Sequence, residues 1–185
     1  VRPFPGQVVS GDATLIRELE QGLFVAIVDV LGHGPEAHEL TVTIDAYLTR
    51  YACFDLAGLI GRLHTHLRGS RGAAVGLCAI DPDAGSLEYT GIGNTAIRRF
   101  GSAESRLVSQ DGVLGQNMRS PVPQQLQLES GDLVLLYTDG VSDRFTAGDY
   151  PGLAWHSPQE VVSKTVQRFG KDHDDAACIA VRYKA

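Results

Sequence analysis

Hydrophobic positions along this chain follow two periods, and the switches between them outline the fold. Gly22–Val30 (GLFVAIVDV) is apolar almost throughout, short, and rich in β-branched residues, which reads as a strand buried on both faces. Ala13–Leu19 precedes it across Glu20-Gln21-Gly22 and makes a hairpin partner, with glycine supplying the turn. The period then lengthens. Gly34 followed by Pro35 marks a helix start, because proline at the first helical position sacrifices no hydrogen bond. Ala37, Leu40, Ile44, Tyr47, Leu48 and Tyr51 recur at helical spacing and predict the buried stripe. Asp55 caps a second helix that carries Leu56, Leu59, Ile60, Leu63 and Leu67 on one face.

From Gly72 the short period returns. Gly72–Asp81 reads as an apolar strand, Pro82–Gly85 as a turn, and Ser86–Ile92 as the hairpin partner. Thr95–Phe100 is a further short strand, with a return at Arg106–Ser109 after a turn. Gln124–Leu128 ends in apolar–polar alternation, so one face is wet. Leu133–Thr138 (LVLLYT) is a second fully apolar strand. Residues 144–156, with Gly148, Pro151 and Gly152, read as irregular. Ser157, Pro158 and Glu160 form a capping box for a last helix. Its inner face is Val161, Val162, Thr165, Val166 and Phe169, and Gly170 stops it. Ala176–Tyr183 closes the chain as a strand. Strands joined mostly by hairpins, with helices in two groups, define the α+β class. Two antiparallel sheets with helices packed outside would bury what is apolar here. No repeat, low-complexity stretch or linker breaks the chain, so residues 1–185 are expected to form one domain.

Composition narrows the function classes. A hydrophobic content of 43% supports a full core, so disorder is excluded as the main state. The formal charge of -6, with no basic run, argues against nucleic acid and anionic membrane surfaces as partners. No apolar run approaches the roughly 18–20 residues of a membrane span, and no secretory signal pattern is present. A cytoplasmic location is therefore expected. Cys53, Cys78 and Cys178 sit in apolar stretches without metal-type spacing and read as buried free thiols.

The candidate chemistry lies at strand ends. Asp29 ends one buried strand and is followed by Gly32-His33-Gly34. Asp139 follows another and precedes Gly140, and Asp174-Asp175 stand just before the last strand. A carboxylate at a strand end is held rigidly while its oxygens reach a cavity, and a nearby glycine permits close approach. Several such carboxylates suit hard divalent cations, and a pair of these ions can ionise water and screen a phosphoryl group. Each residue also has a plainer reading. Aspartate after an apolar strand is commonly a turn-former or a helix cap, and Asp-Gly is a frequent hairpin signal. Asp12, after Ser10-Gly11, has the same two readings. His33 could be a ligand, a general acid or a loop residue. His64 and His66 are two apart on a helix and face different ways. Gly91–Asn94 (GIGN) lacks the spacing of a phosphate loop.

Taken together and in order, S-G-D (10–12), D-V-L-G-H-G (29–34), T-D-G (138–140) and D-D-A-A (174–177) resemble the metal-dependent protein phosphatase 2C (PPM) family, in its SpoIIE-like bacterial branch. Gly91–Asn94 and Val113-Leu114-Gly115 fall where that branch has glycine turns. The resemblance covers nearly the whole chain. It implies a β-sandwich of two antiparallel sheets flanked by helices on both sides. It implies two divalent cations, Mn²⁺ or Mg²⁺, bridged by Asp29, with the Val30 carbonyl on one, Asp139 and Asp174 on the other, and Asp12 acting through water. A metal-bridging hydroxide would attack phosphoserine or phosphothreonine directly. Gly32, His33, Gly140 and Asp175 would be auxiliary.

The sequence departs from the family pattern in three places. Val30 replaces the usual glycine, Leu31 stands where some relatives carry histidine, and no basic residue matches the phosphate-gripping arginine of eukaryotic members. The short chain resembles stand-alone members that serve the stressosome, which implies STAS-domain phosphoproteins as substrates. Other single-domain members act on phosphorylated anti-sigma-factor antagonists. A phosphoprotein-binding pseudophosphatase and a different two-metal hydrolase are the rival classes.

Overall fold

The first hairpin forms where the pattern places it. Strands β1 (Asp12–Leu19) and β2 (Gly22–Val30) pair antiparallel around the two-residue loop Glu20-Gln21, with Leu19 opposite Gly22 and Asp12 opposite Asp29. The structure is a computed structural model that describes all residues except 102, 150, 151 and 153–155.

Helix α1 (Pro35–Tyr51) starts on the Gly34–Pro35 signal, without a side-chain cap. Helix α2 (Leu56–His66) is capped by Asp55, whose carboxylate accepts from the Gly58 N–H. Then come β3 (Ala73–Asp81), β4 (Ser86–Ile92), β5 (Ala96–Phe100) and β6 (Ser105–Val108). A two-residue hairpin, β7 (Gly112–Val113) and β8 (Asn117–Met118), is too short to show a period in the sequence. Strands β9 (Gln124–Gln127) and β10 (Leu133–Tyr137) follow, then a 3₁₀ turn at Ala147–Asp149, helix α3 (Pro158–Phe169) and β11 (Cys178–Arg182). The capping box of α3 is complete: Ser157 and Glu160 each accept the other's backbone N–H. Of the segment 144–156, residues 150, 151 and 153–155 lie outside the described residues.

Two antiparallel sheets result, ordered β1-β2-β3-β4-β9 and β11-β10-β5-β6. They face one another, with α1 and α2 outside the first and α3 outside the second, so the molecule has three apolar layers. Period-2 geometry assigns each residue to a layer. Phe24, Ala26, Val28 and Val30 of β2 pack on the helices, while Val25 and Ile27 enter the inter-sheet layer. In β10, Val134 and Leu136 face that same layer, and Leu133, Leu135 and Tyr137 face α3. Both strands bury two faces, which is why both read as unbroken apolar runs.

Two expectations are corrected. Tyr51 is 44% exposed rather than part of the α1 stripe; its ring lies against Tyr47, and Arg50 covers it. Thr41 takes the buried position instead, because its hydroxyl donates to the Gly11 carbonyl at 2.6 Å. Cys78 and Cys178 are buried, and burial raises both thiol pKa values, that of Cys178 to about 12. Cys53 is only half-buried, since it sits in the α1–α2 connection beside exposed Arg62.

Candidate metal centre

The register of the first hairpin puts two carboxylates side by side. The Val30 N–H donates to the Gly11 carbonyl at 3.1 Å, just beyond the Asp12–Asp29 pair. That bond makes Asp12 and Asp29 a non-hydrogen-bonded pair, the closer of the two antiparallel spacings. Both continue the β2 face that carries Val25 and Ile27, so they occupy one end of the inter-sheet layer.

The second sheet closes on them. Thr138, the residue after β10, is fully buried, and its hydroxyl donates to Asp12 Oδ2 at 2.7 Å. The Thr138 hydroxyl oxygen itself accepts from the Ala177 N–H at 3.0 Å, tying the ends of β10 and β11 together. Asp139 and Asp174 stand next to these anchors, and each raises the pKa of Asp29. Gly140 makes the approach possible: a Cβ there would lie 1.7 Å from the Asp175 carbonyl oxygen.

The electrostatics of the cluster are one-sided. Burial, then repulsion from Asp29, pushes Asp12 up to about 8 from the ordinary 3.8. Burial, then Asp139 and Asp174, pushes Asp29 up to about 7. Asp174 is raised by burial and by Asp139. Among the described residues none of Asp12, Asp29, Asp139, Asp174 and Asp175 forms an ion pair with a basic side chain. Buried carboxylates normally acquire a cationic partner or a metal. The donor set here is all oxygen, which fits a hard divalent cation. Among the described residues no three acidic, histidine or cysteine side chains converge closely enough to hold one ion by themselves. Water would have to complete the shell of any ion held there.

The other residues named from the sequence divide. Val30 is a strand residue with its side chain in the helix-facing core, and no non-glycine residue has positive φ among the described residues. Valine is therefore accommodated without strain, and its carbonyl remains a possible ligand. Gly32 has φ 88° in a loop latched by Arg71, which donates to the Leu31 carbonyl and pairs with Glu36. His33 is exposed and stacks on Phe4 at 4.1 Å; among the described residues nothing links it to the aspartates. Asp175 is already engaged. Its carboxylate accepts from the Phe4 N–H, the Ser10 hydroxyl and the Gly11 N–H at 2.7, 3.0 and 3.0 Å. It holds the Ser10-Gly11 segment that leads into Asp12.

One neighbour was missed in the sequence. The Asn94 side chain lies near Asp29 and opposes the rise in its pKa by polar interaction. Gly93, at φ 100°, lets this turn press on β3, since a Cβ there would meet that of Ala74 at 2.3 Å. The G-I-G-N run was the available signal, but it points to a tight turn rather than to a carboxylate. From Asn94 and Asp139 a cleft of about 440 Å³ runs outward between the β5–β6 hairpin and the loop after β10.

A two-sheet sandwich with helices outside each sheet is the phosphatase 2C fold, and by its family match the chain is a protein serine/threonine phosphatase of that metal-dependent class. Residues 20–184 match the family model for stage II sporulation protein E, and the chain belongs to that SpoIIE family. Among solved structures, one described as the bacterial stressosome, a modular system adapted to control secondary messenger signaling, is 27% identical. It superposes with a TM-score of 0.87 over 98% of this chain and 95% of that one. RsbX in complex with magnesium gives a TM-score of 0.80 at 19% identity, over 97% and 89% of the two chains. The phosphatase domain of SpoIIE from Bacillus subtilis, with a fragment of its regulatory domain, gives 0.76 at 22% identity, over 98% and 61%. These last two likenesses speak for the fold.

Proposed function

We propose that residues 1–185 form a single phosphatase domain that hydrolyses phosphoserine or phosphothreonine on bacterial stress-signalling proteins of the STAS-domain, stressosome kind. The observation behind this reading is that Asp12, Asp29, Asp139 and Asp174 gather at one end of the inter-sheet layer, beside an open cleft and, among the described residues, without an ion-pair partner. The stressosome and RsbX likenesses support the substrate class.

Asp29, the Val30 carbonyl, Asp139 and Asp174 would hold two divalent cations, Mn²⁺ or Mg²⁺, with Asp12 contributing through water. Such ions ionise water near neutral pH and screen phosphoryl charge during in-line attack. The chain's own residues provide the frame. Thr138 orients Asp12, Asn94 lies near Asp29, and Asp175 holds the strand entry at Ser10-Gly11. Leu31 carries no proton to donate and His33 is stacked on Phe4, so neither is assigned the role of general acid.

The test is phosphate release from p-nitrophenyl phosphate and from a phosphoserine protein with Mn²⁺, Mg²⁺ or EDTA, with Asp29→Asn in parallel. Release should need metal and vanish in the variant while its circular dichroism stays native. Activity should climb from acid to slightly alkaline pH, because the ligands must be deprotonated. Tight phosphoprotein binding with no release under any metal would replace this reading with a binding module.

A further inference from the structure

The cleft beside Asp139 carries basic residues that have no counterpart in the motifs. Arg106, Arg144 and Lys171 line it, together with Asn94, Ser109 and Ser142. In a chain of net charge -6, three cations against Asp139 and Asp143 leave this lining slightly positive. They are not equivalent. Arg106 pairs with Asp143, which also accepts from the Tyr137 hydroxyl, so its charge is answered within the protein. Among the described residues the Lys171 ammonium and the Arg144 guanidinium have no ion-pair partner, and the Arg144 backbone N–H donates to the Ser142 hydroxyl at 3.3 Å.

Both are presented by anchored backbone. The Lys171 N–H donates to the Gly140 carbonyl at 2.7 Å, and its own carbonyl accepts from Arg2. Lys171 is thus fixed directly behind the Asp139-Gly140 turn, and its charge is felt at Asp174. Arg144 precedes Phe145, which is buried, stacks on Phe169 at 4.8 Å and lies under the Arg98 guanidinium at 4.6 Å. Arg98 also donates to the Phe145 carbonyl. With Phe145 pinned inward, the exposed Arg144 stands on the outer wall of the cleft. Ammonium and guanidinium groups beside an acidic centre suit a dianion that must approach it, and charge-assisted hydrogen bonds are the strongest available.

Resting on the phosphatase reading above, we infer that this cleft holds the phosphorylated segment of the substrate, with Lys171 gripping the phosphoryl group and Arg144 contacting an acidic residue beside it. Lys171 then does the work of the arginine that the sequence lacks, from a different part of the fold.

Steady-state kinetics of the full chain with Mg²⁺ test this, using p-nitrophenyl phosphate and a phosphoserine peptide with an adjacent acidic residue. Lys171→Gln should raise KM for both substrates, and the inhibition constant of inorganic phosphate, by about tenfold to a hundredfold. Calorimetric Mg²⁺ binding should not weaken, since the lost charge repelled a cation, and Lys171→Arg should restore much of the loss. Arg144→Gln should raise KM for the peptide alone. Lys184→Gln, beside a separate cleft near Pro82 and Tyr183, should change neither. Unchanged KM and phosphate inhibition in Lys171→Gln, or equal effects of Arg144→Gln on both substrates, would overturn the inference. If the unsubstituted chain releases no phosphate with any metal, the phosphatase reading falls. Calorimetric binding of the same peptide to the four variants then decides the cleft on its own.

Discussion

Asp12 and Asp29 face each other across β1 and β2 as a closely spaced pair, because the Val30–Gly11 hydrogen bond falls just beyond them. Two buried carboxylates at this spacing oppose one another's ionisation, and among the described residues no basic side chain pairs with either. The site is therefore costly to form without a cation.

Stability of the metal-free chain should fall with rising pH. Folding lifts Asp12 to about 8 and Asp29 to about 7 from 3.8, so the native state binds more protons than the unfolded state across that window. The stabilisation is complete below the unfolded value and is lost as pH rises through the folded values. Thermal melts in EDTA should give a higher midpoint near pH 5 than near pH 8, and excess Mg²⁺ should restore the midpoint at about pH 8. A midpoint in EDTA that is flat across this range would contradict the raised values.

Asp12→Asn separates the metal role from the structural one. Asparagine can still accept from Thr138, so the β1–β10 contact survives. Metal affinity should fall about tenfold to a hundredfold, while the midpoint in EDTA at alkaline pH should rise. Both are readable by calorimetry and melting on one preparation.

Gly140→Ala should damage the site through the backbone. The added Cβ would lie 1.7 Å from the Asp175 carbonyl oxygen, and that neighbour is main chain and cannot swing away. A loss of about 1–3 kcal/mol is expected from the overpacking, together with weaker metal binding. Denaturant unfolding measures the first and calorimetry the second. An unchanged midpoint would mean that the two turns lie further apart.

Asp175→Ala should cost stability without removing a cation ligand. Three donors, from Phe4, Ser10 and Gly11, would lose a charged acceptor in a largely buried setting. About 3 kcal/mol is the expected scale, seen as a lower midpoint in denaturant both with and without Mg²⁺. A loss seen only with Mg²⁺ would make Asp175 a ligand instead.

The sequence alone determined what rests on local physics. The doubly buried strands β2 and β10 announced themselves as apolar runs, and the capping box at Ser157 announced α3. The Asp12–Asp29 pair was not announced: the pattern put the turn over Glu20-Gln21-Gly22 and began β1 at Ala13, and the two-residue loop that sets the register is a feature of the structure. The helical stripe of α1 was read less well, because Thr41 is buried by a hydrogen bond to Gly11 that no periodicity reveals. Only tertiary structure brought Asp139, Asp174 and Asn94 to that pair, since they lie on the other sheet or on turns, and no local rule says how two sheets stack. The same holds for Lys171. In the chain it is an ordinary residue after a helix end, and it borders the metal centre because its backbone is bonded to Gly140 and so sits behind the turn that carries Asp139.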